Sequence, residues 1–73
     1  MIKYDSTKVG EICKRFRMEK TNATQSDIAR ELRYVKSNIS AFECGRNNNA
    51  DILLWYIMHG LDIRRELNNA QNV

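Results

Sequence analysis

The sequence predicts an all-α domain, and three observations carry that expectation. Proline is absent and glycine occurs only three times, whereas a β-sandwich needs turn residues roughly every 8–12 positions. Apolar residues recur at three- and four-residue spacing, and no strand-like alternation lasts beyond a few positions. The periodic stretches are built from Leu, Ile, Ala, Arg, Glu and Lys, residues that mostly suit a helix. At 73 residues, the chain 1–73 is expected to form one domain, near the lower size limit for folding without staples.

Each element has its own signals. Residues 1–5 read as an arm, and Asp5 or Ser6 offers an N-cap to a first helix over about 7–19. Val9, Ile12, Cys13 and Phe16 form its inner face, with Lys8, Glu11, Lys14, Arg15 and Glu19 on the wet side. "KTNAT" is a loop. Thr24 followed by Asp27 gives a reciprocal cap for a second helix over 25–32. Ile28, Ala29 and Leu32 are its buried stripe, and Ala29 is small enough to let another helix cross closely.

The third helix begins at Lys36 or Ser37 and ends at Cys44, with Gly45 supplying a left-handed stop. Its apolar face is narrow, Ile39 and Phe42, and Leu32, Val35 and Ile39 are expected to lock the preceding turn against the core. "RNNN" is a polar connection in which Asn49 caps the fourth helix, "ADILLWYIMH". Gly60 ends that helix, Leu61 returns to the core, and Asp62 caps a last helix over about 63–69. The fourth helix is apolar almost all round. A stripe of Leu53, Ile57 and Leu61 leaves Trp55, with Tyr56 beside it, on the far side as a dimer or partner interface.

Several classes of chemistry are disfavoured. Cys13 and Cys44 lie 31 residues apart and are joined by one histidine, so no zinc spacing exists; no metal or cofactor is expected, and both thiols read as reduced. There is no Ser/His/Asp set, carboxylate pair or glycine-rich phosphate loop, so an enzyme is not expected. His59 reads as a dipole partner at a helix end. No signal-like apolar run and no apolar stretch of about 20 residues appears, which points to a cytoplasmic chain with no membrane partner. Charge is uneven: residues 1–36 hold nine Lys/Arg against five Asp/Glu, and residues 37–73 three against four, giving +4 and −1 and the total of +3. A basic half suits a polyanion.

The central stretch, "TQSDIARELRYVKSNISAFECGR", resembles the helix-turn-helix of the lambda-repressor/Cro-like (XRE) family, without a gap from Thr24 to Arg46. Val9–Arg17 resembles that family's first helix and Ile52–Leu67 its last two, so the likeness spans nearly the whole domain. It implies a five-helix lambda-repressor-like fold and a third helix lying in the major groove, where base edges display distinguishable donors and acceptors. Lys36, Ser37 and Asn38 in its first turn then reach deepest. Lys36 donates to guanine, Asn38 reads adenine or holds a phosphate, and Ser37 and Ser40 adapt. Ala41 stands where the family often carries a long polar reader and offers only a methyl contact to thymine.

By the same resemblance Gln25 touches the DNA backbone and braces the recognition helix, while Arg46 and Asn47 grip phosphate. Glu43 pairs with an arginine of the first helix; Arg17, directly after Phe16, fits, and Arg15 is the alternative. Two departures stand out: Arg33 where glycine is frequent, and Val35 where a Ser/Thr cap is usual. The function the resemblance implies is a Cro-type repressor of a phage or mobile element, binding a two-fold operator in double-stranded DNA as a homodimer. The alternative is the same fold used as a protein-binding module, such as an antirepressor.

Overall fold

Caps and left-handed stops divide the described residues into five short helices. The computed structural model describes residues 6–71 and contains α1 (Ser6–Lys20), α2 (Gln25–Leu32), α3 (Lys36–Glu43), α4 (Ala50–Met58) and α5 (Ile63–Gln71). The expected arm and the Asp5 cap lie outside the described residues. All-α holds: there is no strand among the described residues, and no helix among them is long and apolar enough to cross a membrane.

The boundaries follow local chemistry. Thr24 accepts from the Asp27 amide at 3.1 Å while Asp27 accepts from the Thr24 amide at 2.9 Å, so two otherwise orphaned donors of α2 are satisfied reciprocally. Asn49 accepts from the Asp51 amide at 2.8 Å to start α4, and Asp62 accepts from the Arg65 amide at 3.1 Å to start α5. At their C-termini α2, α3 and α4 share one device. One residue past α2 and two past α3 and α4 the chain turns left-handed, at Arg33, Gly45 and Gly60, and the next amide reaches five residues back: Tyr34 to the Ala29 carbonyl, Arg46 to Ala41, and Leu61 to Tyr56, at 2.8, 2.8 and 3.0 Å. Gly45 (φ 82°) and Gly60 (φ 111°) do this at little cost, but at α2 the left-handed residue is Arg33, φ 62°.

The core is made by Val9, Ile12 and Cys13 of α1, Ile28 and Ala29 of α2, Ile39 and Phe42 of α3, Ile52, Trp55 and Tyr56 of α4, and Leu61. Close approach explains two glycines. A Cβ on Gly10 would sit 2.6 Å from the Phe42 carbonyl oxygen and 2.7 Å from that of Glu43, and one on Gly45 2.7 Å from the Thr7 Cα. α1 therefore lies directly on the C-terminal end of α3.

Two expectations are corrected. Val35 is 63% exposed and locks nothing. It occupies the N-cap of α3 in extended conformation, with no side-chain cap bond, and the half-buried Tyr34 packs against the core instead. Trp55 and Tyr56 are 6% and 0% exposed, so neither forms an outer interface; Ile57, expected on the inner stripe, is instead exposed, and with Leu54 and Met58 it makes up the exposed large apolar residues of α4. The apolar run has no polar residue to mark its wet side, and the polar atoms of its aromatics set the rotation. The Tyr56 hydroxyl donates to Glu43 and the Trp55 indole N–H to Glu31, because a buried donor left unpaired is costly. Tyr56 stacks on Phe42 at 5.8 Å between ring centroids and meets Trp55 edge-on at 5.2 Å.

Chemical denaturation followed by far-UV circular dichroism tests this packing. Trp55→Ala is expected to lose about 3–5 kcal/mol, as for a buried aromatic, and Met58→Lys close to nothing. Arg33→Gly is expected to gain up to about 1 kcal/mol by relieving the left-handed backbone.

Candidate nucleic-acid interface

α3 is held from behind by one carboxylate. Glu43, 3% exposed, lies in the last turn of α3, where the negative end of the helix dipole disfavours an anion. Four hydrogen bonds hold its charge: Arg17 Nε to Oε2 at 2.8 Å, Arg17 Nη2 to Oε1 at 3.1 Å, Gln25 Nε2 to Oε1 at 2.9 Å and the Tyr56 hydroxyl to Oε2 at 2.6 Å. A fifth bond, from Arg17 Nη1 to the Ala23 carbonyl at 3.4 Å, ties the group to the loop before α2. One anion thus joins α1, α2, α3 and α4.

The electrostatics follow from this geometry. Burial pushes the Glu43 carboxyl up, but the bonds from Arg17, Tyr56 and Gln25, with the Arg17 charge, outweigh it and leave Glu43 below its ordinary 4.5. The hydrogen bond to Glu43 raises Arg17 further. Burial first, then the bond to Glu43 and its charge, push Tyr56 far up, so it remains a neutral donor. Cys13 is pushed up to about 12 by burial and by Glu43, which makes it an inert core thiol.

With Ile39, Phe42 and Glu43 turned inward, the opposite line of α3, at about 100° per residue, is Ser37, Ala41 and Cys44, flanked by Ser40 and Asn38. Ser37 and Cys44 are exposed; Asn38, Ser40 and Ala41 are half-buried. Lys36 is exposed at the start of the helix, and Arg33 and Arg46 are exposed before and after it. Residues 32–50 contain a single carboxylate, the buried Glu43, so α3 and its flanking turns contribute exposed cations and no exposed anion of their own; Asp51, held by Tyr34, is an exposed carboxylate at their border.

Two expected contact residues have internal partners. The Gln25 amide donates inward to Glu43, so its place is beneath α3. Asn47 donates to the Asn38 carbonyl and accepts from the Asn49 amide, both at 3.3 Å, so it organises the loop after α3. Arg17, and not Arg15, is the partner of Glu43. His59 donates Nδ1 to the Trp55 carbonyl at 2.7 Å, satisfying a helix-end acceptor, and stacks on the Trp55 ring at 3.8 Å.

Other residues went unread in the sequence. Gly10 carried a signal, a glycine inside an otherwise good helix. Tyr34 carried none; its hydroxyl donates to Asp51 at 3.1 Å and accepts from Asn49 at 3.3 Å, tying the α2–α3 turn to the start of α4. Comparison with family models, curated proteins and solved structures finds no match to this chain.

Because the folded carboxyl of Glu43 titrates below its unfolded value, its stabilisation is complete above the unfolded value near 4.5 and is lost as pH falls through the folded one. Denaturation midpoints measured against pH should therefore be flat near neutrality and fall on the acid side of 4.5. Glu43→Gln should flatten that acid limb and cost about 3–5 kcal/mol at pH 7 by leaving Arg17 without its counter-charge.

Proposed function

We propose that this protein is a small sequence-specific DNA-binding regulator of the lambda-repressor/Cro-like kind. On this reading α2, the turn 33–35 and α3 form a helix-turn-helix, and α3 enters the major groove. The observation that carries the proposal is the outer side of α3: a short helix fixed rigidly from behind, bordered by Arg33, Lys36 and Arg46, and bare of exposed carboxylates. A polyanion meets no carboxylate of α3 itself on that side. Val35 leaves the start of α3 without a side-chain cap, so its first amides favour a nearby phosphate. Lys36 donates to a base edge, Ser37 and Ser40 adapt, and Arg46 anchors the backbone.

A two-fold arrangement completes the proposal. One module of this size buries about 600–1,000 Å² on DNA, at or below the low end of specific interfaces, and two copies place their recognition helices about 34 Å apart along the groove. Leu54, Ile57 and Met58, exposed by 50%, 40% and 76%, give the second copy an apolar row on α4. The same row favours the other reading, a module that binds a different protein. Selection of bound fragments from random DNA separates the two. An enriched sequence with two-fold symmetry supports the regulator, and no enrichment at low salt supports the protein-binding module.

On the selected site, Lys36→Ala is expected to cost about 1–3 kcal/mol and to relax preference at one position. Arg46→Ala should weaken all sequences alike and reduce the log–log salt slope by about one. If Arg46→Ala changes sequence preference and leaves the slope intact, the backbone assignment is wrong. Sedimentation of Ile57→Lys with operator DNA should show a single copy bound where the parent protein shows two.

A further inference from the structure

The outermost line of α3 contains nothing long. Ser37, Ala41 and Cys44 carry at most one heavy atom beyond Cβ, and so does Ser40 on the flank. Bidentate recognition of guanine by Arg or Lys, or of adenine by Asn or Gln, needs a planar or extended donor, and neither kind occupies the middle of this face. A helix with such a low profile lies closer to the floor of the groove than one with long readers. What it presents there is the methyl of Ala41, the thiol of Cys44 and the hydroxyls of Ser37 and Ser40, which bond to any base edge and so discriminate little. The one apolar feature that base pairs display in the major groove is the 5-methyl group of thymine.

Resting on the DNA-binding reading above, we infer that the centre of each half-site is recognised through its pyrimidine 5-methyl groups, with Ala41 as the contacting residue. Lys36, at the end of the helix, reads a guanine to one side. Specificity at the centre is then for the methyl group and not for the hydrogen-bonding edge. 5-Methylcytosine substitutes for thymine there, and cytosine does not. The protein consequently binds a C·G variant of its site more tightly once that cytosine is methylated, with no methyl-specific domain involved.

The test uses the full chain and the site obtained by selection. Each thymine is replaced in turn by deoxyuridine, which removes the 5-methyl and leaves every hydrogen-bonding group in place. One or two central positions per half-site should lose about fourfold in affinity per methyl, the value expected for one buried carbon. Cytosine at the same positions should bind weakly, and 5-methylcytosine should recover the same fourfold. In Ala41→Gly, with its fold checked by circular dichroism, the deoxyuridine effect should shrink towards none. Equal affinity for thymine and deoxyuridine at every position, on a site the protein still selects, overturns the methyl readout and leaves DNA binding standing. A methyl effect that persists in full in folded Ala41→Gly overturns the assignment to Ala41. Absence of any selected sequence overturns the DNA-binding reading and this inference together.

Discussion

Everything that orients α3 passes through the carboxylate of Glu43. An anion at the C-terminal end of a helix, taken out of water, is unfavourable twice over, once by the dipole and once by desolvation. The fold resolves this by bringing a donor from each neighbouring helix: Arg17 from α1, Gln25 from α2 and Tyr56 from α4. Each donor must then sit where the carboxylate needs it, so a local electrostatic problem becomes a constraint on how three helices are arranged around a fourth. The apolar contacts of Ile39 and Phe42 supply burial, but hydrophobic contact alone tolerates rotation. The directional bonds to Glu43 do not.

Gly10 and Gly45 show the same constraint in steric form. α1 must come close enough for Arg17 to reach Glu43, and the backbone of α3's last turn lies where a Cβ of residue 10 would be. The Arg17–Glu43 bond, the Gly10 contact and the left-handed Gly45 all act within one turn of the same helix. α3 is thus clamped at its C-terminal end, while its N-terminal end, at Val35 and Lys36, has no side-chain cap.

How much of this the sequence disclosed depended on whether the signal was local. The caps at Thr24, Asn49 and Asp62 and the stops at Gly45 and Gly60 belong to a few adjacent residues, and the helix boundaries drawn from them agree with the structure to within one or two positions. The fourth helix failed because its information is not local. In a run such as ILLWYIM every rotation buries something apolar, and the choice is made by Glu31 and Glu43, residues far along the chain that accept from Trp55 and Tyr56. The inward bond of Gln25 was hidden for a related reason. At the N-terminus of α2 an outward and an inward amide look alike in sequence, and only the position of Glu43, 18 residues on, decides between them. The resemblance to a known family supplied the Arg17–Glu43 pair, which spacing alone would not have done.

The separation of α3 into an anchoring side and an outer side bears on how such a protein changes over generations. Ile39, Phe42 and Glu43 do all the holding, and the outer positions Ser37, Ser40, Ala41 and Cys44 contribute no residue to the buried core. Substitutions among those four leave the buried core untouched, so drift there alters what the helix meets with little effect on the scaffold that presents it. A lineage of such chains can explore new targets one residue at a time, each intermediate still folded. The same clamp that makes the molecule rigid makes its outer surface evolvable.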